Sequence, residues 1–130
     1  MTVVAGYVPN PLGEAVLDAA IEQARFRGTN VVVVNTTRAD RLVDPRYAQG
    51  EPLELMKRRL DESGVQYAVR HFTSTDTAAE DLLQVAQEVT ADLVVIGVRH
   101  RTPVGKLLLG STAQSVLLQA QCPVLAVKHG

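Results

Sequence analysis

The apolar and polar positions of this chain fall into short runs that alternate between two periods. Residues 2–7 (TVVAGY) form a first strand rich in β-branched side chains, and Asn10-Pro11 ends it as a helix N-cap followed by proline at the first helical position. Leu17, Ala20, Ile21 and Ala24 recur at i, i+3, i+4 and i+7, so the next segment is a helix with one apolar face, and Gly28 stands where a left-handed C-terminal cap is wanted. Four consecutive valines at 31–34 read as a strand buried on both faces in the centre of a sheet. Between 37 and 50 the pattern lapses: Arg38, Asp40, Arg41, Asp44 and Pro45 fit no period, which predicts a surface loop, with Tyr47 covering an edge of the core. Pro52 suits the first position of a second helix, whose Leu53, Met56 and Leu60 make a narrow apolar stripe ended by Gly64. Residues 65–72 (VQYAVRHF) alternate as a half-buried edge strand does, with His71 pointing outward. Thr77 and Glu80 have capping-box spacing for a third helix that turns Ala79, Leu82, Leu83 and Ala86 to the core.

The remaining stretch is where chemistry concentrates. Residues 93–96 are a short apolar run closed by Gly97, and Ser111 precedes Gln114 by three in the S-x-x-Q spacing of a capping box. Ser111 therefore reads as the cap of a fourth helix carrying Ala113, Val116, Leu117 and Ala120 at helical spacing, and residues 122–127 (CPVLAV) as a closing strand. Strand and helix alternate throughout, which implies right-handed crossovers and a parallel sheet with helices on both faces, a doubly wound α/β fold. Ligands in such sheets bind at the carboxyl ends of the strands, where the strand order reverses. The loop before the fourth helix carries Arg99, His100, Arg101 and Lys106, so positive side chains and the free N–H groups of a helix start lie together, as a phosphate site requires. A Walker A loop is excluded, because its spacing around Gly105-Lys106 needs glycine at 100 and Ser or Thr at 107, where His100 and Leu107 stand.

Composition narrows the classes. A chain of 130 residues with 46% hydrophobic and 21% charged residues is expected to be one globular domain spanning 1–130. Its formal net charge of −1 offers no general basic field, which argues against nucleic acid or an anionic membrane as partner and confines anion binding to a local site. The start lacks the pattern of a signal peptide and no apolar run approaches the length of a membrane helix, so a cytoplasmic location is expected. Cys122 is the one cysteine and reads as a small buried hydrophobe. No acidic metal cluster and no nucleophile paired with a base is visible, so neither a metal nor a catalytic residue is assigned and an enzyme is not expected.

Gly97, Gly110 and Ser111, followed by the closing CPVLAV strand, resemble the universal stress protein family, whose ATP-binding members carry G-x-x-G, nine residues, then G-[ST] between the fourth strand and fourth helix. Spacing agrees in full, with Arg101 to Leu109 as the nine residues, and His100 replaces the second glycine. The resemblance implies a five-stranded sheet of order 3-2-1-4-5, with the reversal between the first and fourth strands. It implies a stress-related regulatory protein that holds ATP or another adenine nucleotide in that crevice. The positions it points to are Gly6, Tyr7 and Val8 after the first strand, Thr36 after the second, and Ile96 and Gly97 on the fourth. Arg99, His100, Arg101 and Lys106 follow in the loop, then Gly110, Ser111 and Thr112 at the helix start. Val8 stands where binding members have a ribose-binding aspartate, and losing one such hydrogen bond costs about 1 kcal/mol, about fivefold in affinity. The alternative is a dimeric interaction module of the same fold that does not bind nucleotide. A homodimer through the last strand is expected in either case, since an apolar edge strand invites pairing and two-fold closure is its commonest outcome.

Overall fold

The valine run sets the architecture. In the computed structural model, which describes residues 2–35, 51–71, 77–98 and 110–128, Asn30–Asn35 is strand β2 and its four valines are buried. The other strands are β1 (Thr2–Tyr7), β3 (Tyr67–His71), β4 (Leu93–Val98) and β5 (Val124–Lys128). Between them run the helices α1 (Pro11–Arg27), α2 (Glu51–Ser63), α3 (Ala78–Glu88) and α4 (Ser111–Gln119). All strand pairings are parallel, in the order β3-β2-β1-β4-β5. The expected doubly wound sheet is therefore present, with one shift: the centre is β1, and β2 is interior beside it.

Alternation along each strand divides the core into two layers. Val3, Ala5, Tyr7, Val31, Val33, Leu93 and Val95 pack with Val16, Leu17, Ala20 and Ala24 of α1 and Met56 and Leu60 of α2. On the opposite face Val4, Val32, Val34, Val94, Ile96 and Val98 meet Ala79, Leu82 and Val85 of α3 and Ala113 and Val116 of α4. A fully buried valine contributes roughly 1.5–3 kcal/mol relative to an exposed one, so these two layers outweigh any surface ion pair. The outer strands are only half-buried, β3 on one edge and β5 on the other.

Most helix ends follow local chemistry. Asn10 caps α1 by accepting from the Gly13 N–H at 2.8 Å, with Pro11 at the start, and Thr77 caps α3 by accepting from the Glu80 N–H at 3.1 Å. Gly28 (φ 66°) and Gly64 (φ 76°) take the left-handed positions after α1 and α2, whereas the chain leaves α3 through Thr90 at φ 52°, a backbone state that costs a non-glycine residue about 1 kcal/mol. Several boundaries differ from expectation: β4 runs through Gly97 to Val98 rather than ending at that glycine, and β5 spans Val124–Lys128 rather than 122–127. α2 begins at Glu51, so Pro52 is its second residue, still within the first turn where a missing N–H is harmless. Strand β3 starts at Tyr67, two residues later than its alternation suggested. The 37–50 stretch with Tyr47, and the side chain of Leu53, lie outside the described residues.

Candidate functional site

Strands β1 and β4 pair through Val3↔Leu93, Val4↔Val94 and Ala5↔Val95, and there the pairing stops. β1 remains paired with β2 as far as Tyr7↔Asn35, and β4 with β5 as far as Val98↔Lys128. The two central strands thus part company over their last residues, with Gly6 and Tyr7 on one side and Ile96, Gly97 and Val98 on the other. The reason is topological: α1 leaves the end of β1 toward one face of the sheet, while α4 packs on the other face.

The glycines at this opening serve packing. A Cβ on Gly97 would lie 2.6 Å from Leu12 Cγ, so the first turn of α1 rests on the bare backbone of β4. A Cβ on Gly6 would lie 2.9 Å from Leu82 Cδ1 of α3, on the other face. Gly13, which the sequence reading passed over, is the tightest position: its Cβ would come 1.8 Å from the Val8 carbonyl oxygen. That oxygen also accepts from the Asn10 N–H at 2.7 Å, so residues 8–13 form one closed turn.

Tyr7 is not a wall of the crevice. Its side chain is 1% exposed within the α1 layer, and its hydroxyl donates to Glu14 Oε1 at 3.2 Å. Arg59 of α2 ion-pairs with the same Glu14 and with Asp18, so the three groups tie α2 to α1 and to the end of β1. Val8, the residue after β1, is 36% exposed, and Ile96 is buried under α3 and α4.

The start of α4 corrects the capping reading. Gly110 is the N-cap, extended at φ −68° and ψ 166°, and Ser111 is already the first helical residue, so Ser111 and Gln114 are too far into the helix to form a capping box. Gln114 N–H donates to Gly110 O at 3.0 Å, which leaves the Ser111, Thr112 and Ala113 amides without an intrahelical acceptor. Gly110 makes no side-chain cap, no acidic residue stands in the first turn, and a Cβ at Gly110 meets nothing within 4 Å. Neither conformation nor packing among the described residues demands glycine here. Leu117, expected on the apolar face, is 40% exposed, and Leu118 is 85% exposed.

Thr36, Arg99, His100, Arg101 and Lys106 lie outside the described residues, so the basic half of the predicted site enters no geometry. Two polar groups that periodicity did not single out stand near the carboxyl end of the sheet. Asn35, buried at the end of β2, places Nδ2 3.3 Å from His71 Nδ1. Asp81 is 1% exposed in the first turn of α3, where the helix dipole favours negative charge. A polar residue closing a valine run was the available signal for Asn35, whereas Asp81, one residue past the Thr77–Glu80 capping-box spacing, carried no signal of its own. Among the described residues no group of three or more His, Cys, Asp or Glu could hold a metal ion, and no helix is long and apolar enough to cross a membrane. Burial, reinforced by the charge of Asp92, pushes the Cys122 thiol above its usual pKa, so it is poorly nucleophilic. A groove of 530 Å³ opens at the opposite, amino end of the sheet between the C-termini of α1 and α2. Arg25 spans it, donating from Nε and Nη2 to the Ser63 carbonyl at 3.3 and 2.8 Å, and that end of an open sheet is not where ligands sit.

Sheet order and parted central strands define a doubly wound α/β protein with its topological switch point between β1 and β4. The family model described as universal stress protein family matches residues 1–128, and the chain belongs to that family. It is 45% identical over 129 residues to a universal stress protein of Mycolicibacterium smegmatis, covering 98% of each chain. Among solved structures it is similar to the universal stress protein from Archaeoglobus fulgidus in complex with dAMP, at 27% identity and a TM-score of 0.71, over 98% of this chain and 96% of that one. It is also similar to a universal stress protein in complex with cAMP, at 25% identity and a TM-score of 0.75, over 100% and 98% of the two chains.

Proposed function

We propose that this protein is a single-domain, cytoplasmic, stress-related regulator that binds an adenine nucleotide at the carboxyl ends of β1 and β4, without dedicated turnover. One observation carries the reading: the N-terminus of α4 is capped by a glycine that neither its backbone angles nor any described neighbour requires. A bare helix start beside a switch point suits a phosphate, whose oxygens take the Ser111–Ala113 amides and the Ser111 hydroxyl. The dAMP and cAMP complexes of relatives support the ligand class. Phosphate contacts then dominate, Arg99, Arg101 and Lys106 add charge from the adjoining loop, and ATP or ADP is the expected ligand.

Calorimetry tests this directly. ATP and ADP should bind more tightly than AMP, adenosine barely at all, and added salt should weaken the complex. The variant Gly110→Val should fold normally, since its Cβ meets no described residue, and should lose ATP binding. Adenosine binding as tightly as ATP, or full ATP binding by Gly110→Val, would refute the reading.

The second reading, a dimeric interaction module that binds no nucleotide, is favoured by the exposed Leu117 and Leu118 on the helix that leads into the half-buried edge strand β5. Both readings include a homodimer through β5, for which sedimentation at micromolar concentration should give twice the chain mass.

A further inference from the structure

We infer that helix α2 opens from the sheet as a unit of its own, and that ionic strength sets how often it does so through the clasp of Arg59 on Glu14 and Asp18. α1 and α2 cover the same face of the sheet and are held there in different ways. α1 buries Val16, Leu17, Ala20, Ile21 and Ala24 along its length. Of the described side chains of α2 only Met56 and Leu60 are buried, while Glu54, Leu55, Lys57, Arg58, Asp61 and Glu62 are exposed. The other ties of α2 among the described residues are polar and open to water. Arg59 pairs with Glu14 and Asp18 of α1, and the three side chains are 34%, 34% and 66% exposed. Arg25 of α1 donates to the carbonyl of Ser63, the last residue of α2. The Tyr67 hydroxyl of β3 donates to Asp61 Oδ1 at 2.6 Å and reaches the Lys57 carbonyl at 3.5 Å.

Segments with few buried apolar contacts and solvent-exposed hydrogen bonds open locally, well below the free energy of global unfolding. The described part of α2 has that character and α1 does not. Pairs between exposed charges weaken as salt is added, whereas apolar burial does not, so salt loosens the clasp and leaves Met56 and Leu60 as they were. Each opening takes Arg59 away from Glu14, which also holds the Tyr7 hydroxyl, so the event reaches the last residue of β1.

The test is hydrogen exchange of the whole chain, read residue by residue by nuclear magnetic resonance, with the amides of α1 as internal reference. In dilute buffer the amides of 57–62 in α2 should exchange about tenfold faster than those of 17–24 in α1. Raising sodium chloride from about 0.02 M to about 0.5 M should widen that ratio about threefold. Arg59→Met, which keeps an apolar stem and removes the charge, should widen the ratio about threefold in dilute buffer, and added salt should then change it by less than about 1.5-fold. Equal exchange in the two helices, a ratio that salt does not move, or an Arg59→Met variant that keeps the natural salt response overturns the inference, and the first two of these need no variant.

Discussion

The N-termini of α1 and α4 follow the two strands that part at the switch point, and they are built in opposite ways. The start of α1 satisfies itself: Asn10 accepts from Gly13, Pro11 has no N–H to satisfy, Glu14 supplies negative charge to the first turn, and the Val8 carbonyl closes over Gly13. The start of α4 has a glycine cap, no acidic residue in its first turn and no described residue where a side chain would stand. A helix start carries about half a positive charge and donors without intrahelical partners. One helix answers that demand from within the chain, whereas among the described residues no side chain caps the other. The two glycines also contrast, since Gly13 is required by its neighbours and Gly110 by none of the described residues.

Three substitutions sharpen the contrast. The largest effect is expected for Gly13→Ala, because its Cβ would strike backbone that cannot yield as a side chain can. Denaturant unfolding should show a loss of about 3 kcal/mol or more, or no folded protein at all. If Gly13→Ala were neutral, the closed turn would not be rigid. Asn10→Ala removes one side-chain cap and should cost about 1 kcal/mol in the same assay. The smallest effect on stability is expected for Gly110→Asp, which gives α4 the kind of start that α1 already has. It should stabilise the fold by about 0.3 kcal/mol and abolish ATP binding in calorimetry, since the new carboxylate takes the amides and repels phosphate. A gain in stability with binding intact would place the phosphate elsewhere.

Much of the fold is legible because its signals are local. Asn10-Pro11, Gly28, Thr77 with Glu80 and the four valines each act within a few residues of themselves, and each appears where its chemistry predicts. The S-x-x-Q spacing misled by one residue, because a capping box needs an extended serine and the chain is still extended at Gly110 and helical at Ser111. The burial of Tyr7 beside Glu14 was not legible, because it depends on a helix that begins only after it. The Arg59 pairs with Glu14 and Asp18 had no sequence signal, since 41 or more positions separate the partners in the chain.

By itself, the sequence determined the alternation of strands and helices and most of the buried faces, because periodicity and capping depend on residues within one or two turns of each other. Tertiary structure alone decided which glycines are packing requirements and which is not. Gly97 is needed because Leu12 lies on it, Gly6 because Leu82 does, and Gly13 because the chain folds back to Val8, while no described residue lies against Gly110. A glycine's role is set by what would touch the side chain it lacks, and that neighbour is assigned only when the sheet brings distant segments together.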